Sequence, residues 1–174
     1  MSTATLPSVE QVRSWLGEVP DPEIPVVSVT ELGIVRDVYY QGDTLVVEVT
    51  PTYSGCPATA VIDQMIETHL REKGVSNLRL ERRLSPPWTT DWVTSEAREK
   101  LKQFGIAPPL DGTAASGLSA AKAARLAGGK ALDVECPRCG SHNTELVSQF
   151  GSTPCKASWR CKDCLEPFDY FKCI

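Results

Sequence analysis

Cys136-Pro137-Arg138-Cys139-Gly140 and Cys161-Lys162-Asp163-Cys164 decide how the C-terminal part of this 174-residue chain folds. Two thiolates three positions apart can grip one ion only if the chain turns sharply between them. Gly140 supplies the backbone freedom that lets N–H groups point at the sulfurs. The second pair repeats the grip, and the 21 residues from 140 to 160 leave room for a β-hairpin between them. Two pairs so spaced predict a four-thiolate ribbon in which Cys136, Cys139, Cys161 and Cys164 hold zinc. A segment of about 40 residues buries too little apolar surface to fold unaided, so metal binding is expected to be part of the folding free energy. Four cysteines leave no open coordination position, which predicts a structural ion. Rubredoxin-like iron fits the same four thiolates, and the spacing leaves that alternative open.

Two more thiols lie in the tail, Cys155 and Cys173. They read either as small hydrophobes in a tight core or as a secondary pair for metal or sulfur. Phe168, Tyr170 and Phe171 are expected to cover the ribbon sheet. His142 has no partner histidine and is not assigned as a ligand.

Working outward, the chain divides into an α+β domain over 1–107, an Ala/Gly-rich linker over 108–133 and the ribbon over 134–174. Ser8 with Gln11 is a capping-box pattern, and Val9, Val12, Leu16 and Val19 predict a helix from Ser8 to Val19. Ile34–Tyr40 and Leu45–Thr50, joined through Gly42, predict a hairpin. Pro57 opens a second helix whose apolar face is Val61, Ile62, Met65, Ile66 and Leu70, with Gly74 ending it. His69, near the end of that helix, reads as a surface residue. Leu78–Leu84 alternates like a half-buried strand, and a third helix is expected over Ser95–Phe104. The result is a small mixed sheet with helices on one face. In the linker, Ser119–Ala127 favours a short helix, while Pro108-Pro109 and Gly128-Gly129 interrupt regular structure.

Two constellations in the first domain carry chemistry. Cys56 follows a strand and precedes Pro57, near the positive end of a helix dipole, where neighbouring N–H groups favour a thiolate. A buried structural cysteine is the competing reading; Gly55 and Pro57 favour the exposed, functional one. Asp21-Pro22-Glu23-Ile24-Pro25 places two carboxylates in a proline-stiffened loop, either as hard ligands or as solvated charges at a helix stop.

Composition bounds the function. The net charge is -4, and residues 134–174 carry five basic and five acidic side chains, so phosphate binding has no basic surplus to draw on. No nucleic acid partner is expected. No apolar run approaches the roughly 18 residues a membrane span needs, and Met1–Glu10 lacks the pattern of a secretory signal. A cytoplasmic location follows as the expectation. No helix carries the Glu-x-x-His pair of di-iron oxygenases, and no flavin, nucleotide or haem motif is present, so no catalytic centre is expected. A single thiol at Cys56 leaves room for a cluster bridged across a homodimer, because clusters take about four thiolates.

Asp21-Pro-Glu-Ile-Pro with Thr52-Tyr-Ser-Gly-Cys56-Pro resembles the family of small iron–sulfur-cluster assembly domains. Pro86-Pro-Trp-Thr-Thr-Asp-Trp, Gly105-Ile-Ala-Pro-Pro, Gly151-Ser-Thr-Pro-Cys155-Lys and Glu166-Pro-Phe-Asp-Tyr-Phe-Lys-Cys173 resemble one branch of it, the PaaD-type accessory proteins of bacterial phenylacetate degradation. That branch is also regarded as a subunit of phenylacetyl-CoA epoxidase. The resemblance covers nearly the whole chain outside the linker. It implies an accessory role in assembling or maintaining the iron–sulfur or di-iron centre of that epoxidase. It also implies Cys56 as the thiol handling a transient iron–sulfur cluster, with Asp21 and Glu23 beside it. The implied partners are the reductase and oxygenase components and the iron–sulfur assembly machinery.

Overall fold

A computed structural model describes residues 6–53, 55–110 and 132–172, and it divides the chain into two units, Met1–Trp88 and Thr89–Ile174. In the first unit, Ser8 Oγ accepts the N–H of Gln11 and starts helix α1, Val9–Leu16, which buries Val12 and Leu16 completely. The helix stops short of the expected Val19. Pro20 would clash with the carbonyl four residues back, so the chain tightens beforehand. Gly17 donates to both Arg13 and Ser14, and Glu18 and Val19 then donate to Trp15 and Leu16, so four-residue bonds give way to three-residue ones.

Strands β1 (Val35–Gln41) and β2 (Thr44–Val49) form the expected hairpin, closed by Gln41 opposite Thr44. Gly42, in the turn, has φ +65. Helix α2 (Ala58–Glu72) then crosses over, so that β3 (Leu78–Arg82) pairs parallel to β2. The sheet order is β1-β2-β3, mixed as expected. Leu45, Val46 and Val47 on β2 are fully buried, so both faces of the central strand are covered. Helix α2 buries Ala58, Ile62, Ile66 and Leu70, a single i, i+4 row. Its apolar face is therefore narrower than expected, and Val61 is 46% exposed. Strand β3 ends two residues before Leu84, which is exposed.

In the second unit a short 3₁₀ turn, Thr90–Trp92, leads to helix α3, Ser95–Phe104, with the bounds the sequence predicts. Thr94 caps its start by accepting the Ala97 N–H, and Gly105, in the left-handed region, ends it. Strand β4 (Ile106–Ala107) follows and pairs parallel to β7 (Pro167–Phe171). With β5 (Thr144–Ser148) and β6 (Lys156–Cys161) the sheet order is β4-β7-β6-β5. The division after Trp88 thus differs from the expected boundary at 107. The reason is long-range pairing: β4 completes the ribbon sheet and carries α3 with it. Ala107, Val134, Cys136, Ala157, Trp159, Cys161, Phe168 and Tyr170 form one core cluster. Phe168 and Tyr170 cover the sheet as predicted. The expected helix over Ser119–Ala127 lies outside the described residues.

Candidate metal centre

The two knuckles are built by the same backbone device. Cys136 donates its N–H to Ser141 O at 2.8 Å, and Gly140 donates to Cys136 O at 2.9 Å, which closes the first turn. In the second, Cys161 donates to Glu166 O at 3.0 Å, and the Cys164 N–H points at Cys161 Sγ at 3.5 Å. Gly140 has φ +75, and Leu165, the equivalent position after the second pair, has φ +66. Asp163, inside the second knuckle, accepts from Ser141 Oγ and from Asn143 Nδ2 at 2.7 Å, tying the two turns together. Those two bonds, Ser141 first, hold the Asp163 carboxyl below its ordinary value.

The four sulfurs lie within 4.8 Å of one another, with Cys136–Cys164 at 3.8 Å and Cys139–Cys161 at 3.6 Å. Four metal–sulfur bonds of about 2.3 Å in a tetrahedron give sulfur–sulfur edges of about 3.8 Å. A disulfide needs about 2.05 Å, so neither pair is bonded. The donor set therefore fits one tetrahedral thiolate-bound ion and leaves no open position. Cys136 and Cys161 are fully buried, Cys164 is half-buried and Cys139 is exposed. Without a cation the four thiols compete for ionisation. Backbone N–H groups, Cys164 first, lower Cys161 to about 7. On Cys139 the Ser141 backbone bond is the largest single influence and lowers it, but desolvation and the neighbouring thiols together push it up to about 12. A divalent ion removes this conflict by stabilising all four thiolates at once.

The other candidates fall elsewhere. His142 pairs with Asp133 at 2.8 Å, exposed and outside the thiol set. Cys155 is buried, with Thr153 Oγ1 3.0 Å from its sulfur, and is not a fifth member. Cys173 lies outside the described residues.

In the first unit, Cys56 is half-buried. Its N–H donates to Tyr53 O and its carbonyl accepts from Thr59 N, both at 3.2 Å. Pro57 is the cap residue and α2 begins at Ala58, so the thiol sits one residue further outside the helix than expected. Asp21 is buried, and its Oδ1 accepts the N–H groups of Glu23 and Ile24, both at 2.8 Å. The carboxylate thereby shapes its own proline-rich loop. Glu23 is half-buried. Among the described residues the four ribbon cysteines are the one set of three or more Cys, His, Asp or Glu side chains close enough to hold an ion. Cys56, Asp21 and Glu23 do not form a second such set.

Sequence reading missed a cleft between the end of α1 and the second half of α2, where His69 is half-buried beside Glu18 instead of lying on open surface. It joins residues some fifty positions apart, which no local spacing could reveal.

An α+β domain carrying a single thiol beside a helix start, followed by a ribbon whose four thiols fit one ion, defines the class: a small α+β domain with a zinc-ribbon-like appendage. Comparisons narrow it. The family model described as "Iron-sulfur cluster assembly protein" matches residues 9–76, and "PaaD zinc beta ribbon domain" matches residues 120–172. An Escherichia coli (strain K12) protein, named as one of the subunits of a "Putative 1,2-phenylacetyl-CoA epoxidase", is 44% identical over 174 residues, spanning 100% of this chain and 98% of that one. The chain belongs to this PaaD family. Among solved structures, a DUF59 domain from Bacillus anthracis is 26% identical, with 53% of this chain and 90% of that one covered at TM-score 0.49. A conserved hypothetical protein from Thermotoga maritima is 31% identical, with 58% and 98% covered at TM-score 0.48. No helix among the described residues is long and apolar enough to cross a membrane.

Proposed function

We propose that this protein acts in aerobic phenylacetate degradation as a non-catalytic accessory subunit that helps assemble or maintain the iron–sulfur or di-iron centre of a phenylacetyl-CoA epoxidase. The observation that carries the proposal is the contrast between the two thiol sites. The ribbon cysteines form a closed set, whereas among the described residues Cys56 stands outside any such set, at the start of α2. That position falls within the part of the chain matched by the iron–sulfur assembly family. A cluster takes about four thiolates. Cys56 supplies one, so the cluster is held as cargo between chains, in a homodimer or with the client. Such a site can release what it holds. The reductase and oxygenase components are the proposed clients, and the ribbon ion, assigned as zinc, is structural. The relative's name favours a second reading, direct participation in the epoxidation reaction. Turnover by fully metal-loaded oxygenase and reductase only when this protein is added would favour that second reading over the first.

Metal and sulfide analysis of anaerobically purified protein tests the proposal. One zinc per chain is expected in both wild type and Cys56→Ser, with iron and sulfide present in the wild type and lost in the variant. Full loading of the reductase and full growth on phenylacetate with Cys56→Ala would overturn it.

A further inference from the structure

The cleft on the first unit has no part in the site described so far. Its volume is about 310 Å³, and Glu18, Pro20, Met65, Thr68, His69 and Glu72 line it. Its two carboxylates differ in how they are balanced. Glu18 receives Lys73 Nζ at 2.8 Å, the main reason its carboxyl lies below the ordinary value, and has His69 Nε2 at 3.2 Å. Glu72 is exposed and, among the described residues, pairs with no cation. His69 Nε2 is buried and makes no hydrogen bond despite its nearness to Glu18. The cleft therefore combines apolar walls from Pro20 and Met65 with one uncompensated negative charge at the mouth. That combination suits a side chain with an apolar stem and a cationic head.

The helix wall of the cleft also lies on the same side of α2 as residues at the start of that helix. Pro57, Val61, Met65, Thr68 and Glu72 follow one another at spacings of three or four, which places them along one side of the helix. Pro57, Val61, Thr68 and Glu72 are exposed and Met65 half-buried. Helix α2 has 15 residues, about 22 Å at 1.5 Å per residue. A standard protein interface of about 800 Å² per partner is about 30 Å across, so one partner can cover the cleft and reach Cys56 together.

We infer that this stripe is the docking surface for the client protein, and that the client inserts an arginine or lysine side chain into the cleft while its own metal site faces Cys56. The inference rests on the reading of Cys56 as a cluster-handling thiol. Charge selects the occupant: Glu72 rejects an acidic segment and is left unpaired by a purely apolar one.

Two experiments on the full-length protein test it. N-acetyl-arginine amide and N-acetyl-lysine amide are titrated into isotope-labelled protein, with N-acetyl-leucine amide as the comparison. Saturable amide shifts confined to residues 18–20 and 64–72 are expected with a basic probe. Glu72→Gln should weaken them about fivefold, the scale of an exposed ion pair, and Cys56→Ser should leave them unchanged. No saturable shift, or equal shifts with the leucine probe, overturns the assignment. The second experiment measures iron loading of the reductase component in cells carrying Glu72→Arg or Cys56→Ser, and both are expected to lower it. Loading lowered by Cys56→Ser alone overturns the docking surface and leaves the assembly reading standing. Loading lowered by neither overturns both. A dimer in sedimentation that Glu72→Arg dissociates assigns the cleft to a second copy of this chain and overturns the client.

Discussion

The two thiol sites of this protein are organised in opposite ways. In the ribbon, two short turns and one hairpin bring four sulfurs within 4.8 Å of one another, and Cys136 and Cys161 belong to the unit's core. In the first unit, Cys56 is not part of the core, and the Asp-Pro-Glu motif commits its buried carboxylate, Asp21, to its own loop. Removing an ion held by the ribbon thiols is expected to remove part of the fold. Removing Cys56 removes only a side chain. The ribbon thiols are built into packing, whereas the Cys56 thiol is kept apart from it. The contrast can be broken or sharpened experimentally.

The largest effect is expected from stripping the ribbon metal. Structural zinc binding is worth about 10–16 kcal/mol in small domains, and here it is coupled to the packing of Cys136 and Cys161 in the core cluster. Chelation, or Cys161→Ser, should collapse the amide signals of residues 132–172 while those of 35–82 keep their dispersion. If both units melt together, the contrast between an ion-dependent and an ion-independent unit fails. The converse comes next. Ile66, fully buried on α2, should cost about 2–5 kcal/mol on truncation to alanine. Denaturant unfolding followed in the first unit would show the loss, and the zinc content of the ribbon should not change.

These two units were not equally legible in the sequence. The ribbon was, because its chemistry is local: each Cys-x-x-Cys carries its own turn. Helix α3 was legible as a helix over Ser95–Phe104, and the structure shows its ends marked by Thr94 and Gly105. Helix α1 was misread at its end, because a continuing apolar period at Val19 was overruled by Pro20. Val61 was misread because an apolar residue beside the core row looks like part of it. The division after Trp88 was hidden in a pairing between Ala107 and Tyr170, over sixty residues apart. The role of Asp21 was hidden for a different reason. A carboxylate that accepts backbone N–H groups and one that awaits a metal look identical in sequence.

Asp21 therefore supplies the third comparison. Asp21→Ala leaves the N–H groups of Glu23 and Ile24 without their acceptor in a buried loop, at a cost of about 1–3 kcal/mol. Asp21→Asn keeps an oxygen acceptor and removes the charge, so it should restore most of that stability in thermal melts. Iron and sulfide content measured on the same pair separates loop shaping from metal handling. Equal cluster content in Asp21→Asn and wild type would confine Asp21 to shaping the loop. Loss of cluster at restored stability would return its charge to the handling site.

The smallest effect distinguishes the two knuckles from each other. The backbone after each second cysteine is left-handed, but the first uses Gly140 and the second Leu165. A residue with a Cβ is disfavoured by about 1–2 kcal/mol in that region. The Leu165 side chain is 61% exposed, so little packing offsets the strain. Leu165→Gly should therefore stabilise the metal-bound ribbon, by somewhat less than about 1 kcal/mol once the extra freedom of glycine in the unfolded chain is counted. Gly140→Ala should destabilise it by about 1 kcal/mol. A Cβ there meets nothing nearer than Glu135 Oε1 at 3.5 Å, so the cost is one of backbone conformation and not of crowding. Competition for zinc against a chromogenic chelator would read both changes on one scale, with tighter retention for Leu165→Gly and weaker for Gly140→Ala. If Leu165→Gly instead weakens retention, the exposed leucine makes a contact that holds the second knuckle, and the two turns are not equivalent grips on the ion.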